Sequence, residues 1–147
     1  MQGRTFRGQS PDGTWHEGFL IRSPGVKNSR PGEGWYINSE NEPAYAHLVK
    51  PFTIGMSTGV KDMEGTMVFE GDIIKTTGPN ERIFSVELGE YIAYGVGHIG
   101  FYAKIAGKNS CDYKPCCLRA LLYIGKVVGN MSDTPYLMKE AGEEQKK

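Results

Sequence analysis

Turn formers cut this sequence into short pieces, and that limits what it can fold into. Pro11-Asp12-Gly13, Ser23-Pro24-Gly25, Pro31-Gly32-Glu33-Gly34 and Gly78-Pro79-Asn80 recur too closely to leave room for long helices. Between such breaks lie runs rich in β-branched and aromatic residues, at 15–21, 34–38, 68–76, 82–88, 91–96, 99–105 and 121–128. In one of them Phe84, Val86 and Leu88 alternate with Ser85 and Glu87, the period-2 pattern of a strand with one buried face. The 20 Gly and 8 Pro among 147 residues exceed the usual share of about an eighth and read as the turn inventory of a mostly β chain.

Helical signals are few. Thr134 can cap and Pro135 suits a first helical position, so a short C-terminal helix is predicted over 133–140, with Leu137 and Met138 docking on a β-barrel. A turn of helix within 41–48 is a weaker signal. Residues 141–147 are charged and read as a flexible tail. The length suits one domain with a real core, placed at 1–140, with an N-terminal β layer over 1–50 and the main β body over 51–140. Trp15, Phe19, Phe69, Ile73, Val86, Ile124 and Val127 are the expected core.

Charge and hydropathy exclude several classes. The 17 Lys+Arg balance the 17 Asp+Glu, which argues against a generally basic nucleic-acid binder. No apolar run approaches the roughly 18 residues of a spanning helix, so no membrane association is expected. The opening Met1–Ser10 has no apolar stretch of the secretory kind, and three cysteines make a poor disulfide framework. A cytoplasmic location is the expectation.

The most informative stretch is Thr58-Gly59-Val60-Lys61-Asp62-Met63-Glu64-Gly65-Thr66-Met67-Val68-Phe69-Glu70-Gly71-Asp72-Ile73-Ile74-Lys75. It reads as a tight turn feeding a strand. Asp62 and Gly65 bracket a reversal, Gly71 takes a positive φ, and an Asp carboxylate binds turn N–H groups. Gly-Asp-Ile-Ile is a frequent opening of a strand in small SH3-like folds.

This stretch resembles the signature of the YopX family of bacteriophage and prophage proteins. Two further pieces are similar in order and spacing: Phe6-Arg7-Gly8 with Gly13-Thr14-Trp15-His16-Glu17-Gly18-Phe19-Leu20, and Ile124–Asn130 followed by Asp133–Leu137. Met63 and Thr66-Met67 depart from the polar residues usual in that turn, and 80–119 cannot be aligned. The resemblance implies a β-rich fold with an SH3-like barrel, a phage or prophage origin and a tendency to self-assemble. It implies no established chemistry and no catalytic residues. The fold expectation is therefore an SH3-like barrel with an N-terminal β-hairpin layer and a short C-terminal helix.

Motifs that suggest chemistry have simpler structural explanations. Gly95-Val96-Gly97-His98-Ile99-Gly100 fits the dinucleotide pattern of glycines, but a strand-like run rather than a helix follows, so a glycine-rich hairpin is expected. Cys111, Cys116 and Cys117 lack the second ligand pair of a zinc site and read as buried or free thiols. His16, His47 and His98 sit in no nucleophile motif, and His16 reads as solvent-facing. Glu70 and Asp72 fit turn chemistry better than acid–base catalysis. No catalytic residue, cofactor or metal is assigned.

One segment departs from the charge balance. Lys104, Lys108, Lys114, Arg119 and Lys126, interleaved with Tyr102, Tyr113 and Tyr123, meet only Asp112. Cations among aromatics on a small β body can hold single-stranded nucleic acid, which makes Tyr102, Lys104, Lys108, Tyr113, Lys114, Arg119 and Lys126 the candidate binding residues. The leading reading is nonetheless an accessory protein without enzymatic activity, a homo-oligomer acting through self-assembly and protein contacts. Open β edges that need covering point the same way. The single-stranded nucleic-acid binder is the alternative.

Overall fold

The computed structural model describes residues 5–25, 32–79, 81–93, 95–106 and 118–145. It is mostly β, built from antiparallel sheets. The chain folds as two compact units that divide between Ser57 and Thr58, later than the border at residue 50 read from the sequence.

The first unit holds β1 (Phe6–Gln9), β2 (Trp15–Ser23), β3 (Gly34–Asn38), β4 (His47–Val49) and the start of β5 (Gly55–Lys61), in the spatial order β4-β3-β2-β1-β5. The β1–β2 turn is fastened by Asp12, whose carboxylate accepts from the Ser10 hydroxyl and from Thr14 N at 3.0 Å. Those bonds, with Ser10 foremost, hold the exposed Asp12 carboxyl down at about 2. Ile37 and Val49 are the buried apolar residues here, and the buried Thr53 hydroxyl accepts from Gln9 N at 2.9 Å while donating to Lys50 O. The 41–48 segment forms turns and the first part of β4 instead of a helical turn, and a 3₁₀ turn follows at Pro51–Thr53.

The second unit continues β5 and adds β6 (Met67–Phe69), β7 (Asp72–Thr76), β8 (Ile83–Ala93), β9 (Val96–Ile105), α1 (Leu118–Leu122), β10 (Gly125–Asn130) and α2 (Tyr136–Gln145). Its four-stranded sheet runs β10-β7-β8-β9, and β10 and β9 do not pair with each other among the described residues. The 68–76 run is two strands with a kink at Gly71, whose φ of +89° confirms the expected left-handed turn. The runs at 82–88 and 91–96 are one strand up to Ala93, because β9 pairs with β8 along ten consecutive positions.

Register sets two faces. Ile74, Phe84, Val86, Ala103 and Val127 share one, and Leu122 of α1 is buried in the same cluster. The α1 segment corrects the expected strand at 121–128: Leu118-Arg-Ala-Leu-Leu is a run of strong helix formers, and strand begins only at Gly125. The opposite face carries Ile73 and Ser85, both buried. Ser85 fails the predicted alternation because Pro135 and Met138 close a hollow over it. The α2 helix runs on to Gln145, so the charged stretch expected to fray is mostly helical, with Ala141 buried. Of the expected core, Phe69, Ile73 and Val86 are buried, Trp15 and Val127 half-buried, and Phe19 and Ile124 exposed. Among the described residues no helix is long and apolar enough to cross a membrane.

Candidate interaction surfaces

The carboxylates of the informative central stretch serve the fold. Asp62, 7% exposed, accepts from Glu64 N and Thr66 N through Oδ1, and from Val127 N through Oδ2, each at 2.9 Å. Burial alone would raise its carboxyl, but these N–H groups and that of Gly65 outweigh it and hold the carboxyl below the usual range. One side chain thereby ties the 62–66 turn to β10. Asp72, 1% exposed, accepts from Phe69 N at 2.8 Å and closes the Glu70-Gly71 kink.

The glycine pattern at 95–100 is a hairpin. Ala93 pairs with Val96, Gly95 has φ +75°, and β9 follows directly with no helix to receive a pyrophosphate. This β8–β9 arm outruns its core. Val86 and Ala103 lie buried at its base, and the same face continues outward through Leu88 with Phe101, Glu90 with Ile99, and Ile92 with Gly97. Leu88, Ile92 and Val96 are exposed, and Ile99 is 88% exposed.

On the arm's other face Gly89 lies opposite Gly100, leaving a bare patch. Tyr91 fills it, stacked on Tyr102 at 5.2 Å and on His98 at 5.3 Å between ring centroids. Burial, then the Glu87 charge across the strand pair, raises the Tyr102 phenol.

The structure brings some of the predicted nucleic-acid residues together. Tyr102, Lys104 and Lys126 share the sheet face that also carries Lys75, since Lys126 pairs with Lys75 and Lys75 with Ile83. Glu87 sits opposite Tyr102, and Glu81 holds Lys75 at 3.3 Å. Arg119 is on α1, which packs on the other face of this sheet. Lys108, Tyr113 and Lys114 lie outside the described residues, as do Cys111, Cys116 and Cys117. Among the described residues no three His, Cys, Asp or Glu side chains are grouped to hold a metal.

The first unit shows an exposed apolar row. Ile21 pairs with Tyr36 and Tyr36 with Leu48, crossing three strands, and Phe19 stands two residues along on the same side. Phe19, Ile21 and Leu48 are all exposed. Elsewhere in this unit His16 and His47 stack face to face, 3.9 Å apart at 9° between planes. His16 Nε2 is 3.3 Å from Ser10 Oγ, and His47 Nε2 is 3.0 Å from Glu42 Oε2. The stack leaves His16 half-buried rather than simply facing solvent. Burial first, then the neighbouring His47, lowers the His16 imidazole, with Asp12 and Glu42 opposing.

Residues 22–139 match the family model described as YopX protein. The chain belongs to the YopX family. Among curated proteins none matches it. The match spans the 58–75 stretch, β10 and the start of α2, and begins after the Phe6–Leu20 hairpin that the sequence comparison also counted. Within this YopX chain, sequence reasoning missed the Ile21–Tyr36–Leu48 row and the His16–His47 stack. Their members are brought together by strand pairing across tens of residues, so no local window shows them.

Proposed function

We propose that this YopX-family chain is a phage or prophage accessory protein that works without catalysis, through self-assembly and protein contacts. The observation that carries the reading is the row of exposed Phe19, Ile21 and Leu48 around half-buried Tyr36 on one sheet face. Contiguous apolar surface of this kind marks an interface with another protein. Among the described residues, three groups that could serve acid–base chemistry are engaged otherwise: Asp62 and Asp72 accept from turn N–H groups, and His16 stacks on His47. The SH3-like barrel in the second unit belongs to the same proposal, and a crystal structure showing its strands closing would support it. Light scattering with in-line size exclusion tests the function. A concentration-dependent homo-oligomer at micromolar protein is the expected result, and a strict monomer across the range removes self-assembly.

A second reading, single-stranded nucleic-acid binding, has one observation in its favour: Tyr102, Lys104 and Lys126 share a face with Lys75. Salt-sensitive binding to an oligo-dT strand, lost in Lys104→Glu/Lys126→Glu, is its signature. No binding at low salt refutes it.

A further inference from the structure

Four strands pair on one side only among the described residues, and three of them are poor templates for another strand. β4 and β6 have three residues each, and β10 has a register break between Val127 and Gly129. β9 differs. It is ten residues long, in unbroken register with β8, with no proline and Lys104 as its one formal charge. Protein sheets ordinarily blunt such an edge by shortening, bulging or charging it.

We propose that β9 pairs edge to edge and antiparallel with β9 of a second copy of this chain, forming a twofold seam between the two four-stranded sheets. This rests on the self-assembly reading above and assigns the contact between copies to β9, leaving the first-unit row to other protein contacts. Three features support a second copy as the occupant. The first is face matching: in an antiparallel pair centred near Gly100, odd-numbered residues meet odd-numbered ones. Ile99 then lies beside the partner's Phe101, on the face that runs back into each core. The second is charge. Lys104 meets its own copy only if the register slides away from the centre, so the central pairing places no like charges opposite one another. The third is apolar character at the edge itself: Val96 and Ile99, on opposite faces of β9, are both exposed, and a second β9 laid alongside covers part of each.

The test compares sedimentation of the wild-type chain with Val96→Lys/Ile99→Lys, which puts a cation on each face of the edge, and with Phe52→Lys as a first-unit control outside both proposed surfaces. All three side chains are exposed, and far-UV circular dichroism checks the fold. The arm variant should raise the dissociation constant by about 100-fold or more, with the control unchanged. Independently of any variant, amide exchange in the wild type should slow along 96–105 as concentration rises through the association midpoint. An oligomer that survives the arm substitutions, or β9 amides indifferent to concentration, overturns the seam and leaves self-assembly standing through another surface. A wild-type monomer removes both.

Discussion

Removing the Asp62 carboxylate should measurably loosen the second unit. The side chain accepts three backbone N–H groups, two within its own turn and one from Val127, 65 positions away in sequence. At about 1 kcal/mol for each bond lost, Asp62→Ala should cost about 3 kcal/mol. Asp62→Asn keeps an oxygen for Glu64 and Thr66 but turns an NH₂ toward Val127 N–H, donor against donor, and should cost about 1–2 kcal/mol. The pH dependence has a definite sign. The carboxyl is lowered in the folded state, so its contribution is complete above the unfolded value near 4 and fades as pH falls through the folded one. Asp62→Asn should lack that part of the acid slope. Both tryptophans, Trp15 and Trp35, lie in the first unit, so their fluorescence is no direct report on this site. Urea unfolding followed by far-UV circular dichroism, with exchange at the Val127 amide, reports it. An Asp62→Ala protein within about 0.5 kcal/mol of wild type, its Val127 amide still protected, would refute the argument.

Two further outcomes follow from the same physics. Gly71→Ala forces an L side chain to φ +89° at the Glu70–Asp72 kink and should destabilise the second unit by about 1–2 kcal/mol in urea unfolding. His16 is lowered in the folded state, so the unfolded chain binds its proton more readily. The first unit should therefore lose stability as pH falls from 7 toward 5, seen by Trp15 and Trp35 fluorescence, and His16→Phe should flatten that slope. A slope equal in both proteins would exclude the stacked pair as its source.

Much of this fold is legible in the sequence wherever local chemistry decides it. Gly71 and the carboxylates of Asp62 and Asp72 hold their turns as turn rules require, and β3 spans its predicted residues. Reading failed where tertiary covering overrode a local pattern. Ser85 looks like a solvent position, yet Pro135 and Met138, some fifty residues on, lie over it. Phe19 looks like core, yet no described element covers it. The interaction surfaces were legible only in part: the uncovered length of β9 depends on where the core stops beneath it, and no residue in β9 encodes that.

The β8–β9 arm also carries a consequence in time. Its ten pairs join residues only 3 to 21 positions apart, zipping from a two-residue connection, so closing it costs little loop entropy, and isolated hairpins of this kind form in about 1–10 μs. The Asp62–Val127 bond must bring together residues 65 positions apart. The arm should therefore be the seed on which the second unit condenses and β10 the last strand to dock. Substitutions along the arm would slow folding, while those at the Asp62 clasp would mainly speed unfolding.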